Sequence, residues 1–565
     1  MVVILLCFVA TAAMLTVIQP PAGLEIFAWV AVVPFVVVCS PKEKLWRLLI
    51  FAYPVSLIYW LFNLSWIYPV TPLGWLAFCL YTALIWPLLA YAIRYCRIKK
   101  IPLIVAVPIL FVGAERLQGF LLGGFFWRFL GHSQYQNIPL IQIADVLGAE
   151  GVSLVIALVN GLIAALIVSA QRKKHFTPRN LAAIASVALI VAGVFSYGRW
   201  RIKQAGEFVE KGPLVASLQS NVPQSVKQSH QSTELIFDNL MQKSESAAGA
   251  GAKLIIWPET MVQAILDRRV LMYCESGDTN HHLNDSLARH AKNKAYLLVG
   301  AYGGRLKLAD DATISSKLAT SYNSAFLYQP DGTQAQQQYD KIHLVPFGEV
   351  LPFQDSIPWL HDWLIILTPY DYDYTLDAGS EYTIFEMAET QGDAEKTCRF
   401  AALICYEDTV PDLVRRFVLD DKGNKQLDWL VNISNDGWFV NFTDGQVNPS
   451  AELLQHAAIC VFRAVENRTP VIRSVNTGIS CLIDSVGRMK EGYVTGNLPQ
   501  KVADREGING WFADYMPIDK RVTFFSRYGP LTGIICSVCL CCAFGMGVAE
   551  WFTKHKKKGA GKKGR

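Results

Sequence analysis

Three short strings hold the residues best equipped for chemistry. Glu259 closes the apolar run of LIIWPET, Lys341 and Glu349 lie in YDKIHLVPFGEVLPF, and Cys405 and Glu407 lie in ALICYEDTVPDL. A thiol, an ammonium and a carboxylate are the parts of an acyl-transfer site. The thiolate attacks a carbonyl, the cation stabilises the oxyanion and the carboxylate moves protons. Singly, each residue has a plainer use. A cysteine in an apolar strand is usually a small buried hydrophobe, and a Glu or Lys in a loop is usually solvated. What argues for chemistry is that each string joins an apolar strand to polar residues, because strand ends line the cleft of α/β folds.

The setting of Cys405 is the most specific. The run AALI reads as a strand, and TVPDLVRRF reads as a helix start, with Thr409 as N-cap and Pro411 in the first turn. A thiol at that junction is expected to feel the helix N-terminus, which favours thiolate. The segments GPLVASLQ, AKLIIWPE, AYLLVGAY, SYNSAFLY, RFAALICYE, DWLVNISND, PVIRSVNTG and SCLIDSVGR read as strands. Amphipathic stretches at 229–247, 281–293 and 450–467 fall between some of them. The pattern predicts an α/β, layered domain from about 205 to 525.

The rest of the chain has a different composition. Of its 565 residues 52% are hydrophobic and only 18% charged, against roughly 25% charged in soluble domains. Apolar segments at 2–19, 24–40, 46–67, 73–95, 101–118, 149–170, 181–198 and 528–552 approach the ~20 residues a membrane span needs. Eight spans are expected. The loops PKEKLWR, RYCRIKK and QRKKHFTPR are basic, and IQPPAGLE and SWIYPVTPLGW carry no Lys or Arg. With basic loops inside, the α/β domain lies outside, and the last span returns KHKKKGAGKKGR to the cytoplasm. That tail reads as a lipid anchor rather than a nucleic-acid arm. The aromatic, glycine-rich segment 116–148 reads as interfacial or re-entrant. The expected division is 1–204 for seven spans, 205–525 for the outer domain and 526–565 for the last span and tail.

Thirteen cysteines show no paired metal-ligand spacing, and no cofactor or metal is expected. Eight lie in apolar segments; the others are Cys274, Cys398, Cys405, Cys460 and Cys481. A membrane-tethered hydrolase that passes an acyl group to water, and a non-catalytic membrane receptor, are the alternatives to an acyltransferase.

LIIWPET, YDKIHLVPFGEVLPF and LICYED, in this order, resemble the carbon–nitrogen hydrolase (nitrilase) superfamily. The many spans, with LQSNVPQSVK, NISNDGWF, QHAAICVFRAVENRTPVIRSVNTGIS, FSRYGP and AERLQGFLLGGFFWRFLGHSQ, narrow the resemblance to the apolipoprotein N-acyltransferases. The resemblance covers about 45 to 545. It implies a membrane bundle joined to a nitrilase-like αββα sandwich. It implies Cys405 as nucleophile, Glu259 as general base, Lys341 as oxyanion partner and Glu349 as a supporting glutamate. Tyr406 and Glu407 would shape the pocket, and Asn323 would line it. The implied reaction is ping-pong. A phospholipid, typically phosphatidylethanolamine, gives its sn-1 acyl chain to Cys405 as a thioester, and the α-amine of a diacylglyceryl-cysteine takes it. The implied setting is a bacterial cytoplasmic membrane with the catalytic domain on the periplasmic side, the protein being a monomer without nucleic-acid partners. Two departures stand out. Gln228 follows Lys227 where the family has Trp, and SNDGWFVNFTDGQVNPSAELLQH is longer than expected, as for a modified lid.

Overall fold

The computed structural model describes every residue except 174–176, 228–231, 276, 309–313, 352–355, 368–374, 392–393, 445 and 561–565. Gln228 and the end of the basic tail lie outside the described residues. The chain forms two compact units. One comprises Met1–Ser65, Trp75–Trp200 and Pro530–Arg565; the other comprises Trp66–Gly74 and Arg201–Gly529.

The first unit is helical. Among the described residues six helices are long and apolar enough to cross a membrane: Leu45–Asn63, Pro72–Ile98, Leu103–Phe120, Ala149–Ala170, Pro178–Phe208 and Leu531–Thr553. They mark an integral membrane protein. The two remaining expected spans are shorter, Val2–Val17 and Glu25–Val38. Proline explains the difference. Pro20 and Pro21 follow the first helix, where a proline cannot continue the hydrogen-bond ladder, and Glu25–Val38 is a 3-10 turn plus a short helix around Pro34. Pro87 likewise breaks Pro72–Ile98 into Pro72–Thr82 and Ile85–Ile98. The segment 116–148 is no ordinary span. After Phe120 it folds into short turns, with Phe125, Trp127 and Phe129 buried in the unit. Buried polar side chains tie the bundle together, as backbone groups away from water require. Asn160 donates from Nδ2 to the Ala28 carbonyl at 2.9 Å, and its Oδ1 accepts from the Val32 amide at 3.0 Å.

The second unit carries the strands β1 (Val209–Gln219), β2 (Leu254–Ile256), β3 (Tyr296–Leu308), β4 (Ile314–Tyr328), β5 (Gln334–Asp340), β6 (Phe385–Gln391), β7 (Ala394–Ile404), β8 (Trp429–Ser434), β9 (Asn441–Thr443), β10 (Gln446–Asn448), β11 (Val471–Val475), β12 (Leu482–Ile483), β13 (Thr495–Gly496) and β14 (Gly510–Asp519). Among the described residues one mixed sheet has the order β13-β14-β1-β2-β3-β4-β5 and the other β12-β11-β8-β7-β6, with β9 and β10 a separate hairpin. All eight expected strands are present.

The two sheets meet face to face. Ser474 on β11 donates to the carbonyls of Leu218 and Ile256 at 2.8 and 3.0 Å, and Ser217 on β1 donates to the Arg473 carbonyl at 2.7 Å. β1 is therefore buried on both faces, and its run LVASLQ lacks the alternation of a half-exposed strand. Its other face, Leu214, Ala216 and Leu218, joins the helices Ser232–Gly249 and Thr279–Ala291 in one apolar core. The second sheet is backed by Pro411–Val418 and by Ala451–Asn467, whose side chains are nearly all buried. The result is an αββα sandwich.

Candidate active site

Cys405 begins a 3-10 turn, Cys405–Thr409, directly after β7. Its φ of +53° is a left-handed conformation that a side chain adopts at a cost. The tight reversal lifts the thiol off the strand end, and Asn432 Nδ2 steadies it by donating to the Cys405 carbonyl at 3.1 Å. Pro411 does open the next helix, but the expected cap is corrected. Thr409 is not a cap, because its Oγ1 donates back to the Tyr406 carbonyl at 2.8 Å, and the following helix Pro411–Val418 is entered through Val410. The thiol also departs from expectation. Burial, then the carboxylate of Glu259, pushes it up, and Lys341 and His456 offset this only in part. The balance favours the thiol form of Cys405 over a standing thiolate.

Glu259 lies three residues past β2, on a loop held against β3. The Trp257 amide donates to the Leu298 carbonyl at 2.9 Å, and the Val262 amide to that of Gly300 at 3.3 Å. That approach requires Gly300, since a Cβ there would stand 2.7 Å from the Glu259 Cα and from the Pro258 carbonyl oxygen. Lys341 follows β5, and its amide donates to the Asn323 carbonyl at 2.8 Å, extending the ladder from β4. Its side chain has no solvent exposure. Burial alone would lower the ammonium, but Glu349 and Glu259 outweigh it and hold Lys341 charged, above its usual range.

The structure brings Glu259, Asn323, Lys341 and Glu349 into one hydrogen-bonded set. Lys341 Nζ lies 2.7 Å from Glu349 Oε2 and 3.6 Å from Glu259 Oε1. Asn323 Nδ2 donates to Glu259 Oε1 at 2.7 Å and to Glu349 Oε1 at 3.1 Å. Glu349 is fixed in turn by the Val345 amide at 2.9 Å. The Cys405 thiol stands within electrostatic reach of both Lys341 and Glu259.

Tyr406 and Glu407 take different parts. Tyr406 is half-buried and stacks on His343, ring centroids 5.9 Å apart. Glu407 is fully buried and faces the protein instead of a pocket. It accepts from the Ile404 amide at 2.8 Å, the Ile342 amide at 2.8 Å, the His343 amide at 3.0 Å and the Tyr339 hydroxyl at 2.7 Å. Glu407 therefore clamps the loop after Lys341 to the turn that bears Cys405. Burial pushes its carboxyl up to about 7, against the pull of those amides.

Two features escape a reading of the strings. Lys227 is buried, donates from Nζ to Thr260 Oγ1 at 2.6 Å, and is lowered by burial to about 8 despite the pull of Glu259. Thr260, the residue after Glu259, has a φ of +47°, so Lys227 braces a strained position beside the carboxylate. The second feature is a fully buried set of charges formed by Asp408, Asp436, Glu452, His456 and Arg473. Ligand-type atoms of Asp436, Glu452 and His456 lie within 4.8 Å of one another. Arg473 already places Nη1 at 2.8 Å from Asp408 Oδ2 and Nη2 at 3.5 Å from Asp436 Oδ2, so the anions face a resident cation that a metal ion would have to displace.

Two family models match the chain, one in each of its two parts. Residues 214–496 match the carbon–nitrogen hydrolase family, and residues 11–162 match the apolipoprotein N-acyltransferase N-terminal domain. Curated relatives include the apolipoprotein N-acyltransferase of Geobacter metallireducens, 30% identical over 92% of this chain and 90% of that protein. The one from Chlorobaculum tepidum is 25% identical over 92% and 91%. Among solved structures, an amidase from Nesterenkonia sp. covers 55% of this chain and 92% of its own, at 15% identity and a TM-score of 0.32. The sandwich and the membrane helices thus define a membrane-embedded carbon–nitrogen hydrolase relative. The chain belongs to the apolipoprotein N-acyltransferase family, and it is an acyltransferase.

Proposed function

We propose that the protein transfers the sn-1 acyl chain of a phospholipid, phosphatidylethanolamine above all, through a Cys405 thioester to the N-terminal amine of diacylglyceryl-cysteine on lipoproteins. The observation that carries the reading is Lys341, a fully buried ammonium shared between Glu349 at 2.7 Å and Glu259 at 3.6 Å, within reach of the Cys405 thiol. In the first half-reaction Glu259 takes the thiol proton as Sγ attacks the ester carbonyl, and Lys341 faces the developing oxyanion. Collapse breaks the ester C–O bond, and Glu259 returns the proton to the departing lysophospholipid oxygen. In the second, the amine attacks the thioester, Glu259 takes its proton, and collapse breaks the C–S bond and reprotonates Cys405. Glu349 and Asn323 hold Lys341 and Glu259 in register, Glu407 keeps the Lys341 loop against the Cys405 turn, and Tyr406 walls the site. The raised thiol supports a general-base mechanism, because a nucleophile that rests protonated must hand its proton to a neighbour as it attacks.

The division into 1–204, 205–525 and 526–565, with 205–525 on the periplasmic face of a bacterial cytoplasmic membrane, belongs to the same proposal. The basic loops and the lysine-rich tail support it. Both substrates are lipids of the outer leaflet, which a domain on that face reaches directly. The test supplies detergent-solubilised protein with labelled phospholipid and a diacylated lipopeptide. Labelled amide that disappears in Cys405→Ser is the expected result. Free fatty acid without lipopeptide product would make the protein a hydrolase and overturn the proposal.

A further inference from the structure

Behind the Cys405 turn lies a charge cluster that the reaction as written does not use. His456, on the helix Ala451–Asn467, is 2% exposed, and both of its ring nitrogens face carboxylates. Nε2 lies 2.8 Å from Asp408 Oδ1, in the same 3-10 turn as Cys405. Nδ1 lies 3.2 Å from Asp436 Oδ1, in the turn after β8, and 3.3 Å from Glu452 Oε1 on its own helix. A neutral imidazole has one donor and one acceptor nitrogen, so one side would then set a lone pair against a carboxylate. The imidazolium satisfies both sides, because Asp436, held below its usual range by His456 and Arg473 in spite of burial, keeps an ionised acceptor at Nδ1. Asp408 also receives Arg473 from β11, and Ser434 Oγ donates to Asp436 Oδ1 at 2.6 Å. The buried thiol of Cys460 completes the groups around Asp408.

Taking Cys405 as the nucleophile, we infer that His456 is a positioning residue of the acyl-transfer site: a permanent imidazolium that pins the Cys405 turn through Asp408 and places a positive charge behind the nucleophile. β7 and β8 run into turns that reach this ion through Asp408 and Asp436, and β11 joins the set through Arg473, which binds the same two aspartates, so loss of the charge is felt at the Cys405 turn. The direction of its effect is fixed by sign. His456 and Lys341 lower the thiol, and Glu259 and Asp436 raise it.

The experiment measures the pH dependence of Cys405 alkylation by iodoacetamide, read by peptide mass spectrometry on the full-length protein in detergent. It needs no lipid substrate, so its outcome is independent of the proposed reaction. That reading fails separately if Cys405→Ser still transfers acyl chains. His456→Gln removes the cation and is expected to raise the inflection. At a pH below the inflection, alkylation then slows about tenfold for each pH unit that the inflection rises. Asp436→Asn breaks the same contact but removes an anion, so it is expected to lower the inflection. A loosened structure would move both variants the same way, and opposite movement is what a charge produces. Movement in the same direction, or an unmoved inflection in folded His456→Gln, overturns the inference. If His456→Gln does not accumulate, the ring ¹⁵N chemical shifts of His456 in the wild type decide: both nitrogens protonated across about pH 6 to 9 supports the inference, and a neutral tautomer in that window overturns it. Stoichiometric divalent metal in the purified wild type, lost in His456→Gln, would also overturn it, because a metal-bound imidazole is not an imidazolium.

Discussion

The burial of a charged lysine among carboxylates is the most consequential fact at the scale of single residues. An ammonium with no solvent exposure is costly unless paired, and Lys341 has two carboxylates and the thiol around it. Lys341→Met removes the proposed oxyanion partner and is expected to lower kcat about 100- to 1000-fold. Glu349→Gln keeps the ammonium but loosens it, and the expected loss is smaller, roughly tenfold. Steady-state transfer to a diacylated lipopeptide checks both, and the order of the two effects matters more than their size. Glu407 is a different kind of residue. Glu407→Gln would turn an amide N–H₂ toward amide or hydroxyl donors that now find an acceptor, a loss of about 1–3 kcal/mol for the buried groups left unpaired. Denaturant unfolding of the purified variant measures it. Cys405, Lys341, Glu259 and Glu349 stood out in sequence because each lies in an unusual string. The clamp made by Glu407 did not, because its five contacts join two segments some sixty residues apart and sequence shows only that it stands near a cysteine.

At the scale of elements, the site depends on how closely two strands approach. The Glu259 loop rests on β3 at Gly300, and Gly300→Ala would drive a methyl into the Glu259 backbone at 2.7 Å. The loop must move, so the expected outcome is a strong loss of kcat, with a stability cost of about 1–3 kcal/mol for overpacking. Activity and thermal unfolding, measured together, show whether the loss of rate exceeds the loss of folded protein. The strands that carry Glu259 and Cys405 were legible because apolar β-branched runs stop at polar residues. β5, with the polar run QAQQQYD, and β14, whose partner β1 lies some three hundred positions upstream, were not. The same limit hid the His456 cluster, which forms only where β7, β8, β11 and one helix converge. The helix after Cys405 was placed correctly at Pro411, but the 3-10 turn between them carries no compositional mark.

At the scale of the molecule, the membrane helices were legible from composition, and the broken first pair was foreshadowed by Pro20, Pro21 and Pro34, whose effect on span length composition alone does not give. Whole-molecule stability should follow the buried carboxyls of the second unit. Burial pushes Glu407, Glu452 and Glu506 each to about 7. A carboxyl raised on folding contributes stability that is complete below its unfolded value, roughly 4.3, and is lost as the pH rises through the folded value. His290, lowered by burial, acts in the opposite sense near its ordinary range. Burial raises Asp484 as well, so four carboxyls oppose His290. The thermal midpoint of the detergent-solubilised protein is therefore expected to fall as the pH rises from about 5 to about 6.5, below the range where Lys425, lowered to about 7, acts in the opposite sense. A rising midpoint over that window would show that these carboxyls are ionised at no cost. The central claim, that Cys405 carries the acyl chain between two lipids, has a more direct test. The protein is mixed with labelled phospholipid in a single turnover without lipopeptide, quenched in acid and examined by mass spectrometry. The account predicts a hydroxylamine-sensitive acyl group on the peptide containing Cys405, discharged when lipopeptide is added and lost in Glu259→Gln. Lipopeptide acylation without any acyl-enzyme, or with the label on another residue, would contradict it.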